Sequence, residues 1–82
     1  MSVSLIDLPY LIELVLRDIK NLENTINDPN TSDDIRDDSG ELLMLASRTA
    51  ANLQSQYEQE WRTGSNFPNY ENLIKDIQER IY

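Results

Sequence analysis

Five carboxylates crowd into nine residues of this chain: Asp33, Asp34, Asp37, Asp38 and Glu41, relieved only by Arg36. Read on a helix, Asp34, Asp37, Asp38 and Glu41 share one side. Like charges three and four apart repel by a few tenths of a kcal/mol each. One offset is the helix dipole, which stabilises carboxylates in a first turn by about 0.3–1 kcal/mol. That covers Asp33 and Asp34 at once. It covers Asp37 to Glu41 only if the helix begins near Asp38. The other offset is a partner: an acidic face can dock on a basic surface and steer the encounter.

A second oxygen-rich stretch, Asp28-Pro29-Asn30-Thr31-Ser32-Asp33, begins like a calcium loop, with oxygen ligands at its first, third and fifth positions. It then departs from the pattern. The sixth position is Asp33 instead of glycine, and the twelfth is Ser39 instead of a bidentate glutamate. No metal or other cofactor is expected. Histidine and cysteine are absent, which removes the usual neutral-pH acid–base group, thiolate chemistry and disulfides. Carboxylate pairs on a solvated face have nothing to shift their pKa toward neutrality. The chain is not expected to be an enzyme.

Two apolar features remain. Tyr57 and Trp61 stand at i, i+4, a spacing that suits core packing beneath Phe67-Pro68 and also suits an interface anchor. Core is the reading taken, because so small a protein needs their area. Between Leu8 and Leu16 lie Tyr10, Leu11, Ile12, Leu14 and Val15, more apolar groups than one inward stripe holds. Tyr10 and Leu14 point far from the Leu8–Val15 line. A helix apolar nearly all round must be covered nearly all round. Tyr10, Leu11 and Leu14 are therefore candidates for contact with a partner or a second copy, unless the third helix and the N-terminal residues cover them.

The elements that would carry these groups are helices. Leu8, Ile12, Val15, Ile19, Leu22 and Ile26 alternate at four and three, which predicts a helix over about 7–27. Asp7 is its candidate cap, and Pro9 sits harmlessly in the first turn. Asn27-Asp28-Pro29-Asn30 ends it. A second helix is expected over about 32–63. Thr31 or Ser32 caps it, with Thr31…Asp34 at capping-box spacing. Leu42, Ala46, Ala50, Leu53, Tyr57 and Trp61 run along its inner side, and small residues around Ala46–Ala51 invite a crossing helix. Gly40 costs about 1 kcal/mol inside a helix, so the helix starts near Asp38 or bends at Gly40. The longer helix is the reading taken. Gly64 suits a C-terminal cap. Tyr70, Leu73, Ile74, Ile77 and Ile81 predict a third helix over about 69–82.

No strand-like alternation appears. Short connections between three helices imply a single all-α domain over residues 1–82, a three-helix bundle that dimerisation could complete. With 82 residues and no staple, one core is marginal. Fifteen acids against seven bases, a net charge of −8, disfavour direct contact with nucleic acid or anionic membranes. The N-terminus lacks the basic lead and apolar run of a signal peptide, and no stretch is long enough to span a bilayer. A cytoplasmic location is the expectation.

The function expected is that of a small acidic interaction module that binds and modulates another protein, of the inhibitor, immunity or accessory-factor type. The alternative is a homo-oligomeric structural protein or a small assembly or secretion chaperone. A helix-turn-helix regulator is disfavoured, since no helix carries several bases on one face.

Overall fold

The computed structural model describes residues 5–61 and 66–81, which form three helices: α1 (Leu8–Asn27), α2 (Asp33–Glu60) and α3 (Tyr70–Ile81). The fold is all-α, with no strand among the described residues. The second helix stops short of the expected end near residue 63: Trp61 is extended (φ −68°, ψ 138°), so α2 closes at Glu60. The break read around Gly64 and the last residue expected of the third helix lie outside the described residues.

Local chemistry explains the boundaries. Asp7 precedes α1 but makes no side-chain capping bond, and Pro9 lies in the first turn. Pro29 disfavours helical backbone at Asp28, which is extended (φ −75°, ψ 119°) and ends α1. The Asp28 carboxylate accepts from the Asn30 N–H at 2.9 Å, closing an Asx turn. Ser32, not Thr31, caps α2: its Oγ accepts from the Ile35 N–H at 3.3 Å. Thr31 turns back instead, donating from Oγ1 to the Thr25 carbonyl at 2.7 Å. The expected Thr31…Asp34 capping box is thus replaced by a serine cap one residue later. The helix runs on through Gly40. Asn69 caps α3 through its Oδ1, which accepts from the Asn72 N–H at 3.0 Å.

The short turn folds α1 back along α2 as a long antiparallel hairpin, and α3 packs at the hairpin's open end. There Leu8 and Ile12 of α1, Tyr57 of α2, and Leu73 and Ile77 of α3 form the buried core. Leu5, Leu16, Leu53, Trp61, Phe67, Tyr70, Ile74 and Ile81 pack partly buried around it. Tyr57 donates its hydroxyl to the Pro68 carbonyl, and Trp61 Nε1 donates to the Phe67 carbonyl at 2.8 Å. The aromatic pair therefore pins the α2–α3 connection. Burial pushes the phenols of Tyr57 and Tyr70 above their ordinary value near 10, and at Tyr70 the Glu58 carboxylate adds to it.

The inner face of α2 is the expected one except at its start, where Leu43 stands in place of Leu42. Leu43, Ala46, Ala50, Leu53, Tyr57 and Trp61 are buried or half-buried, as is Ser39, whereas Leu42 is 53% exposed.

Candidate functional site

The apolar surplus of α1 is not covered by α3. Glu13 and Leu16 mark the side of α1 that meets α3: Leu16 packs on the core, and Glu13 accepts from Arg80 Nε at 3.0 Å as well as from Arg17 Nε at 3.1 Å. Those hydrogen bonds, the one to Arg80 first, outweigh partial burial and hold the Glu13 carboxyl below its ordinary value. Leu14 and Leu16 are two residues apart, about 200° around a helix of 3.6 residues per turn. Leu14 therefore faces away from α3. The expectation that the third helix shelters it fails on this geometry: Leu14 is 44% exposed and Tyr10 68% exposed, with Leu11 half-buried. The first four residues, the other expected cover, lie outside the described residues.

Leu14 instead forms one wall of an open groove between the two long helices. Leu14, Val15 and Asp18 line it from α1, and Leu42, Leu45, Ala46 and Thr49 line it from α2. Leu42 and Leu45 are each just over half exposed, as is Ile35 about two turns before Leu42 along the same face of α2. The space between the walls is about 330 Å³. Of the three apolar candidates only Leu14 lines the groove; Tyr10 and Leu11 do not.

Asp18 belongs to the lining, and three of the five cluster carboxylates follow the groove's α2 edge. Asp38 precedes Leu42 by four residues, Glu41 precedes Leu45 by four, and Asp34 precedes Asp38 by four, all neighbouring positions on a helix surface. All five cluster carboxylates are exposed. Asp33 is paired with Arg36 at 3.2 Å. Among the described residues no ion pair joins Asp18, Asp34, Asp37, Asp38 or Glu41 to a base. Because α2 begins at Asp33, the helix dipole reaches Asp33 and Asp34 in the first turn but not Asp37 to Glu41.

Arg36 has a role that the pattern of charges conceals. It donates from Nε to the Ile26 carbonyl at 3.1 Å and from Nη2 to the carbonyls of Asp28 and Thr31, each at 3.2 Å. One guanidinium thereby meets three carbonyls along the α1–α2 connection, of which that of Asp28 also accepts from the Thr31 N–H at 3.1 Å. In the would-be calcium loop the Asp28 carboxylate and the Ser32 hydroxyl accept from backbone N–H groups, the Asp33 carboxylate accepts from Arg36, and the Thr31 hydroxyl donates to a carbonyl. No cluster of metal-ligating side chains occurs among the described residues.

A second depression, of about 410 Å³, lies beside the α2–α3 connection, between Gln54, Glu58, Trp61, Asn69, Tyr70 and Glu71. It is polar and open, and it shares no residue with the apolar groove. No helix among the described residues is long and apolar enough to cross a membrane. Compared with family models, curated proteins and solved structures, the chain matches none of them.

Proposed function

We propose that this chain is a small acidic helical interaction module that binds another protein, and modulates it, through the groove between α1 and α2. The observation that carries the reading is the uncovered apolar lining: Leu14, Leu42 and Leu45 stand on the face of the hairpin that α3 does not reach. Area supports it. The accessible surface is 5910 Å², whereas a compact monomer of this mass exposes about 5,000 Å². The surplus is comparable to the roughly 800 Å² that one partner buries in a standard interface. The reading involves no catalysis.

Affinity capture from the native host tests it, run side by side with the wild-type chain and a Leu14→Ser, Leu45→Ser double variant. Both side chains are near half exposed, so the variant should keep its helical circular dichroism. A protein retained by the wild type and lost by the variant supports the proposal. Retention of the same proteins by both would overturn it. So would a sedimentation result in which the chain forms a dimer that the variant dissociates, since the groove would then be filled by a second copy.

A further inference from the structure

We infer that the groove receives an amphipathic helix of another protein whose apolar stripe is flanked by lysine or arginine. This rests on the reading of the groove as a docking surface and adds the chemistry of what docks there. Exposed side chains on this face of α2 run from Ile35, beyond the lining, through Leu42 and Leu45 to Thr49, whose hydroxyl is turned onto the Leu45 carbonyl. That is about 21 Å of helix at 1.5 Å per residue, room for an occupying helix of about four turns. The lining supplies what an apolar helical face needs: two shallow walls of Leu, Val and Ala side chains with little polar interruption.

Charge selects the occupant. Asp18 stands in the lining itself, and Asp34, Asp38 and Glu41 stand along the α2 edge, without ion pairs among the described residues. The α2 helix holds seven carboxylates against Arg36 and Arg48, and Arg36 is committed to the α1–α2 turn. A second copy would bring the same acidic border and a net charge of −8 against this one. Two such edges repel at close range, whereas a lysine- or arginine-flanked helix is attracted and oriented. The apolar floor and the acidic rim together describe a complementary surface.

Two labelled synthetic peptides of about 16 residues test the inference by fluorescence anisotropy on the intact chain. Both carry leucines at i, i+3, i+4 and i+7; one has lysines on the flanks and the other glutamates. The lysine peptide should bind at least ten-fold more tightly, and raising salt to about 0.5 M should erase most of the difference, because the Debye length then falls below the spacing of exposed charges. Asp38→Asn with Glu41→Gln should weaken the lysine peptide several-fold. Leu42→Ser with Leu45→Ser should abolish its binding while circular dichroism stays helical. Equal binding of both peptides would overturn the basic partner and leave the docking groove standing. Binding of neither peptide, or binding indifferent to the leucine changes, would overturn both.

Discussion

At the scale of the residue, Arg36, Glu13 and Tyr57 each hold together parts of the chain that the backbone alone would leave apart. Arg36→Met keeps the aliphatic stem but strands the carbonyls of Ile26 and Thr31, while that of Asp28 keeps only the Thr31 N–H. Hydrogen bonds from a charged donor are each worth about 1.5–3 kcal/mol when buried, and this one is partly exposed. A loss of about 1–2 kcal/mol is expected, read from urea midpoints at constant slope. Glu13 joins α1 to α3 through Arg80. Its carboxyl is held below the ordinary value, so its contribution is fully present above that value and disappears as pH falls through the folded-state pKa. Both partners are solvent-accessible, which limits the contribution to no more than about 1 kcal/mol. The expected result is a shallower acid limb of stability for Arg80→Gln than for the wild type; identical limbs would show the pair to be inert. The phenol of Tyr57 works in the opposite direction. Burial raises its pKa, so its contribution is intact below pH 10 and is lost as pH rises through the folded-state value. Tyr57→Phe should cost about 1–2 kcal/mol at neutral pH, by leaving the Pro68 carbonyl without its donor, and should soften the alkaline decline.

At the scale of the element, Gly40 is the test of how far α2 is a single helix. It lies inside the helix, and a Cβ built on it meets nothing within 4 Å. Gly40→Ala should therefore stabilise the protein by about 0.5–1 kcal/mol, through reduced freedom of the unfolded chain. A loss of stability on thermal or urea unfolding would mean the helix needs glycine's freedom there. The three helices were legible in the residues because their apolar spacing is regular and their breaks carry Pro29 and Asn69. The long form of α2 was legible too, since a single glycine costs less than the serine cap and the packing of a 28-residue helix return. What spacing could not give was the choice between two neighbouring leucines at the start of the inner face. Leu42 and Leu43 are adjacent leucines, and periodicity alone admits either as the inward one. Packing of Ser39 and Leu43 against α1 turns Leu42 outward, and so creates a groove wall from a residue that reads as core. Nor does spacing disclose that the acidic side of α2 and the uncovered side of α1 border the same groove. That follows from which face α3 chooses, and α3 is placed by Leu73, Ile77 and the Glu13–Arg80 pair, contacts distant in sequence.

At the scale of the whole molecule, the core is concentrated at one end. The Cα radius of gyration is 14.7 Å, against about 12 Å for a compact domain of this length, and the principal extents of 48 × 29 × 15 Å describe a plate one helix layer deep over much of its length. Among the described residues the buried hydrophobic side chains, Leu8, Ile12, Tyr57, Leu73 and Ile77, lie where three helices meet. Toward the α1–α2 turn the inward residues Ile19, Leu22, Ile26 and Leu43 are only half-buried, because just two helices share them. Local stability follows buried apolar contact, so opening should be graded along the hairpin. Native-state hydrogen exchange should find amides of Ile12, Leu16, Leu53 and Tyr57 opening only with global unfolding. Amides of Leu22, Thr25, Leu42 and Leu43 should exchange through partial openings at least about 1 kcal/mol easier. Occupation of the groove alters that gradient in a specific way: a bound helix adds a third wall beside Leu14, Leu42 and Leu45, and so should slow exchange most at Leu42 and Leu43 and least at Tyr57. Uniform protection over the length of both helices, with or without an occupant, would mean that the two-helix half is stabilised by its turn network around Arg36 alone and has no need of the missing wall.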